Sequence, residues 1–158
     1  MKTLLFSFFM AIVSLNACAQ QESASLTWYT DMSLAYKASI KEKKPLLLFF
    51  TGSDWCGWCH RLQREVFNTS TFSNWATKNV ILVELDFPSK KVQPQNIKEQ
   101  NQTLQQQFNV QGYPTIWFVN VTQVKDGYKM ERLKSAGYMA GGPDVWIENA
   151  KSIIGGGK

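Results

Sequence analysis

Two cysteines separated by two residues are the part of this sequence best equipped for chemistry. They lie in Trp55-Cys56-Gly57-Trp58-Cys59-His60, shortly after the apolar run Leu46 to Phe50. At the start of a helix this spacing brings the sulfurs within disulfide reach. The first sulfur then faces the free N–H groups of the helix end, and these together with the helix dipole favour thiolate over thiol. Cys56 is therefore the expected nucleophile, attacking a disulfide to form a mixed disulfide. Cys59, one turn deeper, is expected to resolve that intermediate.

The same residues admit two other chemistries. Cys56-Gly57-Trp58-Cys59-His60 is also the C-x-x-C-H pattern that attaches c-type haem, which would make the protein an electron-transfer module with His60 as axial ligand. His60 is the only histidine, so the second ligand would have to be a methionine. A structural zinc site would draw on Cys56, Cys59 and His60, but the adjacent Cys59 and His60 on one helix do not both aim easily at one metal. Neither reading uses the flanking apolar strand. The preferred reading is disulfide exchange, with no cofactor and no metal.

The elements that must hold the pair follow from pattern. Leu26 to Tyr29 reads as a first short strand. Asp31 is a plausible N-cap for a helix to about Lys43, with Leu34, Ala38 and Ile40 inward and the lysines outward. Pro45 stops it, and Leu46 to Phe50 reads as a strand buried on both faces. A helix is expected from Cys56 to about Phe67, with Cys59, Leu62 and Val66 on one face, then a short helix from Ser70 to Thr77. Val80 to Leu85 is a strand, Asp86 to Gln95 a polar loop, and Asn96 to Phe108 a helix with Ile97, Leu104 and Phe108 inward. Thr115 to Val119 is a strand, and Lys125-Asp126-Gly127 turns the chain toward a partner near Met130 to Ser135. Pro143 opens a closing helix to about Ile154, and 155–158 reads as a frayed tail. The order predicts an α/β sandwich: a central mixed sheet with helices on both faces.

The cysteine segment, placed between a core strand and its helix, resembles the thioredoxin-like family, whose site is Trp-Cys-Gly-x-Cys at that junction. Gly112-Tyr113-Pro114-Thr115, just before a strand, resembles the family's cis-proline loop. The resemblance runs from about Lys44 to Lys151. It implies a thioredoxin-like three-layer sandwich, a monomer, substrate proteins bearing disulfides, and substrate binding at Tyr113 and Pro114. Phe50-Thr51-Gly52-Ser53-Asp54-Trp55 is similar to exported bacterial members that handle envelope disulfides. That likeness implies the reducing direction, with electrons from a membrane thiol reductase; an oxidase or isomerase is the alternative. Around the pair, Trp55 is expected to be a packing platform with an edge toward substrate. Gly57 and Trp58 lie between the cysteines, where Trp58 adds apolar area but no charge, and His60 either tunes the thiolate weakly or is an exposed helix residue. Thioredoxins proper carry a buried Asp six residues before the nucleophile, where this chain has Phe50. Glu84 is then the candidate proton acceptor for Cys59, although a strand-face carboxylate with a structural partner is the favoured reading. The 86–96 loop either shapes partner choice or, the preferred reading, is a tolerated insertion.

Composition and the N-terminus place the domain. The 158 residues fit one domain, and 44% hydrophobic and 13% aromatic content suffice for a core without metals. The net charge of +5 comes without a run of five basic residues, which argues against nucleic-acid binding. Lys2 precedes a twelve-residue apolar stretch, Leu4 to Leu15, and then Ala17-Cys18-Ala19. This is the pattern of a secretory signal, and as a helix the stretch reaches only about 18 Å of the roughly 30 Å bilayer core. Two exits remain open. Cleavage after Ala19 would give a signal 1–19. A relaxed lipobox, Leu15-Asn16-Ala17-Cys18, would give a lipoprotein signal 1–17 with Cys18 lipidated, which also explains the third cysteine. Either leads to export, to a bacterial periplasm, with 20–25 as tether and 26–154 as the domain.

Overall fold

The computed structural model describes residues 26–156, which run β1 (Trp28–Tyr29), α1 (Met32–Glu42), β2 (Leu46–Thr51), α2 (Gly57–Leu62), a π-helical turn (Gln63–Phe67), α3 (Ser70–Asn79), β3 (Ile81–Asp86), α4 (Gln95–Gln107), β4 (Thr115–Val124), β5 (Gly127–Ala136) and α5 (Gly142–Gly155). The expected signal, 1–19 or 1–17, the tether 20–25 and Cys18 lie outside the described residues.

Local chemistry sets the ends of these elements. Asp31 caps α1, its carboxylate accepting the Ser33 N–H at 2.7 Å. Lys43 ends α1 in the left-handed region, and Pro45 follows. Thr69 caps α3 by accepting from the Phe72 N–H, and Pro143 sits in the first turn of α5. Gly141, before α5, has φ +114° and would drive a Cβ to 2.7 Å from Val145 Cγ2, so both backbone and space require glycine.

The five strands form one sheet in the order β1-β3-β2-β4-β5. β1, β3 and β2 are parallel, while β4 and β5 return antiparallel as a hairpin. Alternation along the strands sends Leu47, Phe49, Leu82, Ile116 and Phe118 to one face, where α2, the π-turn, α3 and α5 cover them. Leu46, Leu48, Phe50, Ile81, Val83 and Leu85 face α1 and α4 on the other side. This is the expected three-layer sandwich.

Some expected details change. In α1 the inward stripe is Met32, Ala35 and Ser39, and Leu34 is 50% exposed. Neighbouring helix positions differ by about 100°, so docking through Met32 turns Leu34 outward. Ser39 is buried because its hydroxyl donates to the Lys44 carbonyl at 2.6 Å. The helix expected to run unbroken from Cys56 to Phe67 starts at Gly57 and widens into the π-turn at Gln63. β4 and β5 are longer than read, because the hairpin continues pairing to Val124 and Gly127. Gly155 still belongs to α5.

The π-turn carries Phe67 into the middle of the cysteine-side layer, 4.6 Å from the Phe72 ring, 5.2 Å from Phe49 and Trp146, and 5.4 Å from Trp28. It therefore joins β1, β2, α3 and α5. Replacing Phe67 with Ala is expected to cost about 3–5 kcal/mol. Urea titration should show a lower midpoint at unchanged slope.

Candidate active site

The site begins where β2 ends. The Trp55 indole lies flat against Gly52, so a Cβ there would sit 2.3 Å from Trp55 Cε2. The tight turn bonds the Cys56 N–H to the Gly52 carbonyl at 2.9 Å and delivers Cys56 to the N-cap of α2. Its Sγ accepts the Cys59 N–H at 3.2 Å and is joined to Cys59 in a disulfide. Cys59 is fully buried and Cys56 is 4% exposed, so Cys56 is the sulfur nearer to solvent.

Aromatic rings surround the pair. Trp55 and Trp58 are 51% and 56% exposed. Trp55 meets Tyr113 edge-on at 5.5 Å, and the Tyr113–Pro114 peptide bond is cis. Burial pushes the Tyr113 phenol upward, against the Gln105 amide that donates to it. Trp58 packs at 5.3 Å on Tyr138, from the β5–α5 connection. Arg61 stacks on both rings and donates to Glu65. The other Glu65 oxygen accepts the Tyr138 hydroxyl at 2.6 Å, and these two bonds, Tyr138 first, hold the Glu65 carboxyl below its ordinary range. Gly137 lies beside the Pro114 carbonyl. Three chain segments thus meet around Cys56.

The remaining expected residues fall into place unequally. Gly57 opens α2 with free space where a Cβ would go. His60, the axial ligand of the haem reading, instead directs its Nε2 at the Ser53 carbonyl, 3.0 Å away. Phe50 points into the α1–α4 layer, stacked with Phe87 and packed at a tilt against Phe108. Glu84 lies opposite Phe49 in register, on the cysteine side of the sheet. It makes no hydrogen bond or ion pair among the described residues, so it lacks the structural partner that the favoured reading required. Burial first, then the Asp86 charge, raises its pKa, and Lys91 works in the opposite sense.

The 86–94 segment is not a loose insertion. Asp86, ending β3, accepts the Ser53 N–H at 2.7 Å and the Ser53 hydroxyl at 2.6 Å. Asp54 in turn accepts the N–H groups of Ser89, Lys90 and Lys91 at 2.8, 2.7 and 3.1 Å. The Trp55 Nε1–H donates to the Phe87 carbonyl at 2.8 Å, and Phe87 packs on Tyr113. Two carboxylates exchanged between turn and loop therefore tie the segment to the cysteine turn. Ser53, Asp54 and Asp86 escaped the sequence reading. Their signal was an acidic residue just before Trp55 and another closing a buried strand.

Comparison with known proteins agrees with this geometry. The family description of a thioredoxin-like domain matches residues 32–141. The chain is 34% identical over 132 residues to a protein of Chlamydia pneumoniae named disulfide bond reductase DsbH, covering 84% of this chain and 75% of that one. It is 31% identical to the thioredoxin-related protein DsbJ of the same organism over 112 residues, 71% of this chain and 32% of that longer protein. Among solved structures, a DsbH oxidoreductase superposes with a TM-score of 0.77 at 32% identity, over 92% of this chain and 95% of that one. A thioredoxin from Thermus thermophilus gives 0.60 at 17% identity, over 84% and 91%, a likeness of fold alone.

Three backbone N–H bonds, led by that of Ser89, hold the Asp54 carboxyl below its ordinary range. A depressed acid stabilises the folded state above its unfolded pKa and loses that contribution as pH falls through the lower folded value. The clamp should therefore persist at neutral pH and release only below the ordinary Asp value of about 3.9. Amide shifts of residues 89–91, followed by NMR, should titrate there. In Asp54→Ala the same amides should exchange faster with solvent already at neutral pH.

Proposed function

The chain belongs to the thioredoxin-like family, and from that premise we propose that it is an exported reductase of protein disulfides. The observation that carries this reading is the Cys56–Cys59 disulfide at the N-cap of α2, with Cys56 outermost and a cis-proline loop beside it. The name of the 34% identical relative, a disulfide bond reductase, supports the direction.

In the reduced protein the Cys56 thiolate attacks one sulfur of a substrate disulfide. A Cys56–substrate bond forms, the substrate S–S bond breaks, and the second substrate sulfur leaves as a thiolate that takes up a proton. Cys59 then loses its proton and attacks the Cys56 sulfur, releasing the second substrate thiol. Two electrons have moved to the substrate, and the protein holds the Cys56–Cys59 disulfide. A membrane thiol reductase returns it to the dithiol. The N-cap position stabilises the Cys56 thiolate through the Cys59 N–H and the helix end. Trp55, Trp58, Tyr113 and Pro114 form the surface on which the substrate strand lies. Glu84 takes the Cys59 proton, since it shares that face of the sheet and burial holds its pKa above an ordinary glutamate's. In this reading the N-terminal segment directs the protein to the bacterial periplasm, with Cys18 as the lipid-bearing residue of an anchored form.

Three measurements test these roles. The Cys56/Cys59 reduction potential, read by alkylation and mass shift in graded thiol buffers, should fall near −270 mV, about the thioredoxin value; a value near −120 mV would make the protein an oxidant and reverse the direction. Cys59→Ser should accumulate a mixed disulfide through Cys56, and Cys56→Ser should accumulate none. In Glu84→Gln the resolving step should slow by roughly tenfold or more. That step should also lose the part of its pH dependence lying above the ordinary glutamate range.

A further inference from the structure

Beside the cysteine turn, the 87–94 segment and the start of α4 enclose a cleft of about 350 Å³ lined by Phe87, Lys91, Val92, Gln93, Lys98 and Gln102 among others. Two features set it apart. Its lining includes two lysines, Lys91 and Lys98, and four neutral amide side chains, Gln93, Gln95, Asn101 and Gln102, and no aspartate or glutamate. The loop tip also carries Val92 at 99% exposure, between Lys90, Lys91 and the cleft. Lys90 and Lys98 make no ion pair among the described residues.

The clamp fixes where this surface points. Asp54 holds the backbone of residues 89–91, and Lys91 Nζ reaches Ser53 Oγ at 3.2 Å. Trp55, half exposed and adjacent to Cys56, is bonded to the Phe87 carbonyl. The segment carrying Lys90, Lys91 and Val92 is therefore bonded directly to the turn that presents Trp55 and Cys56. Lys91 is partly balanced by Asp54 and Glu84. The unpaired Lys90 and Lys98 nonetheless favour a negative partner, and an exposed apolar side chain beside them favours an apolar residue next to the acids.

We propose that this loop and cleft dock the acidic, partly apolar stretch that flanks the disulfide of a client protein. The inference rests on the disulfide-reductase reading above and adds to it a rule for choosing clients.

The test uses the full chain, reduced, mixed under pseudo-first-order conditions with three disulfides. Two are peptides identical but for their flank, Glu-Glu-Leu in one and Lys-Lys-Leu in the other; the third is hydroxyethyl disulfide, small and uncharged. Oxidation is followed by tryptophan fluorescence. The acidic peptide should react roughly five- to tenfold faster than the basic one, the scale of a few exposed charge pairs. The preference should shrink at high salt. In Lys90→Glu with Lys98→Glu, neither of whose side chains makes a hydrogen bond or ion pair among the described residues, the preference should vanish or reverse. Equal rates for the two peptides, or a preference that the double variant leaves intact, overturn the docking surface. Failure of all three disulfides to oxidise the protein overturns instead the reading on which it rests.

Discussion

Burial of β2 on both faces is the constraint from which the rest follows. None of Leu46 to Thr51 is more than 1% exposed. A strand in that position must have both edges paired, here by β3 and β4, and both faces covered by helices. The sandwich is the solution to that demand. The chain reaches water again only past the end of the strand, from Ser53 onward, where a short turn leads into α2. The cysteine pair sits at that exit. It combines a rigid apolar base with an exposed rim, so its geometry is held by the core while its outer sulfur remains close to solvent.

The exit is polar, and its hydrogen bonds are made reciprocally. The turn after β2 supplies Asp54 to the loop after β3, and the end of β3 supplies Asp86 to the turn after β2. Each carboxylate satisfies backbone donors that neither segment could satisfy alone. Asn101, fully buried in α4, adds a further bond by donating to the Asp86 carbonyl at 2.9 Å. On the other flank Glu65 and Arg61 hold Tyr138 against Trp58. The disulfide thus lies between two polar braces, one from the β3–α4 loop and one from the β5–α5 connection.

In the proposed reading this arrangement separates chemistry from recognition. The sulfurs, the helix N-terminus and Glu84 belong to elements locked into the sheet and its cysteine-side layer. The half-exposed indoles of Trp55 and Trp58 and the lysines of the 87–94 loop lie outward, on segments the braces hold in place. On that reading, changing the loop lysines alters what can dock without disturbing the sulfur geometry.

The elements with strong local signals were legible in the sequence. A five-residue apolar run ending at glycine marks a buried strand, and cysteines spaced for a helix start mark a redox pair. The cis-proline loop was readable only through family resemblance. Leu34 was misread because a short helix with apolar residues on two stripes does not say which stripe docks; contact through Met32 decides it. The loop role of Asp54 was hidden because its partners, the N–H groups of residues 89–91, are 35 or more residues away and carry no side-chain signature. Asn101 was not read among the inward residues of its helix, although its register with Leu104 and Phe108 places it inward. By itself the sequence determined the sheet's central strand, the cysteine chemistry and the layered class, since these depend on residue type and short spacing. Only the tertiary structure decided which helix face docks, where Glu84 points and which backbone the two carboxylates hold, because each of those bonds joins segments that meet only in the folded chain.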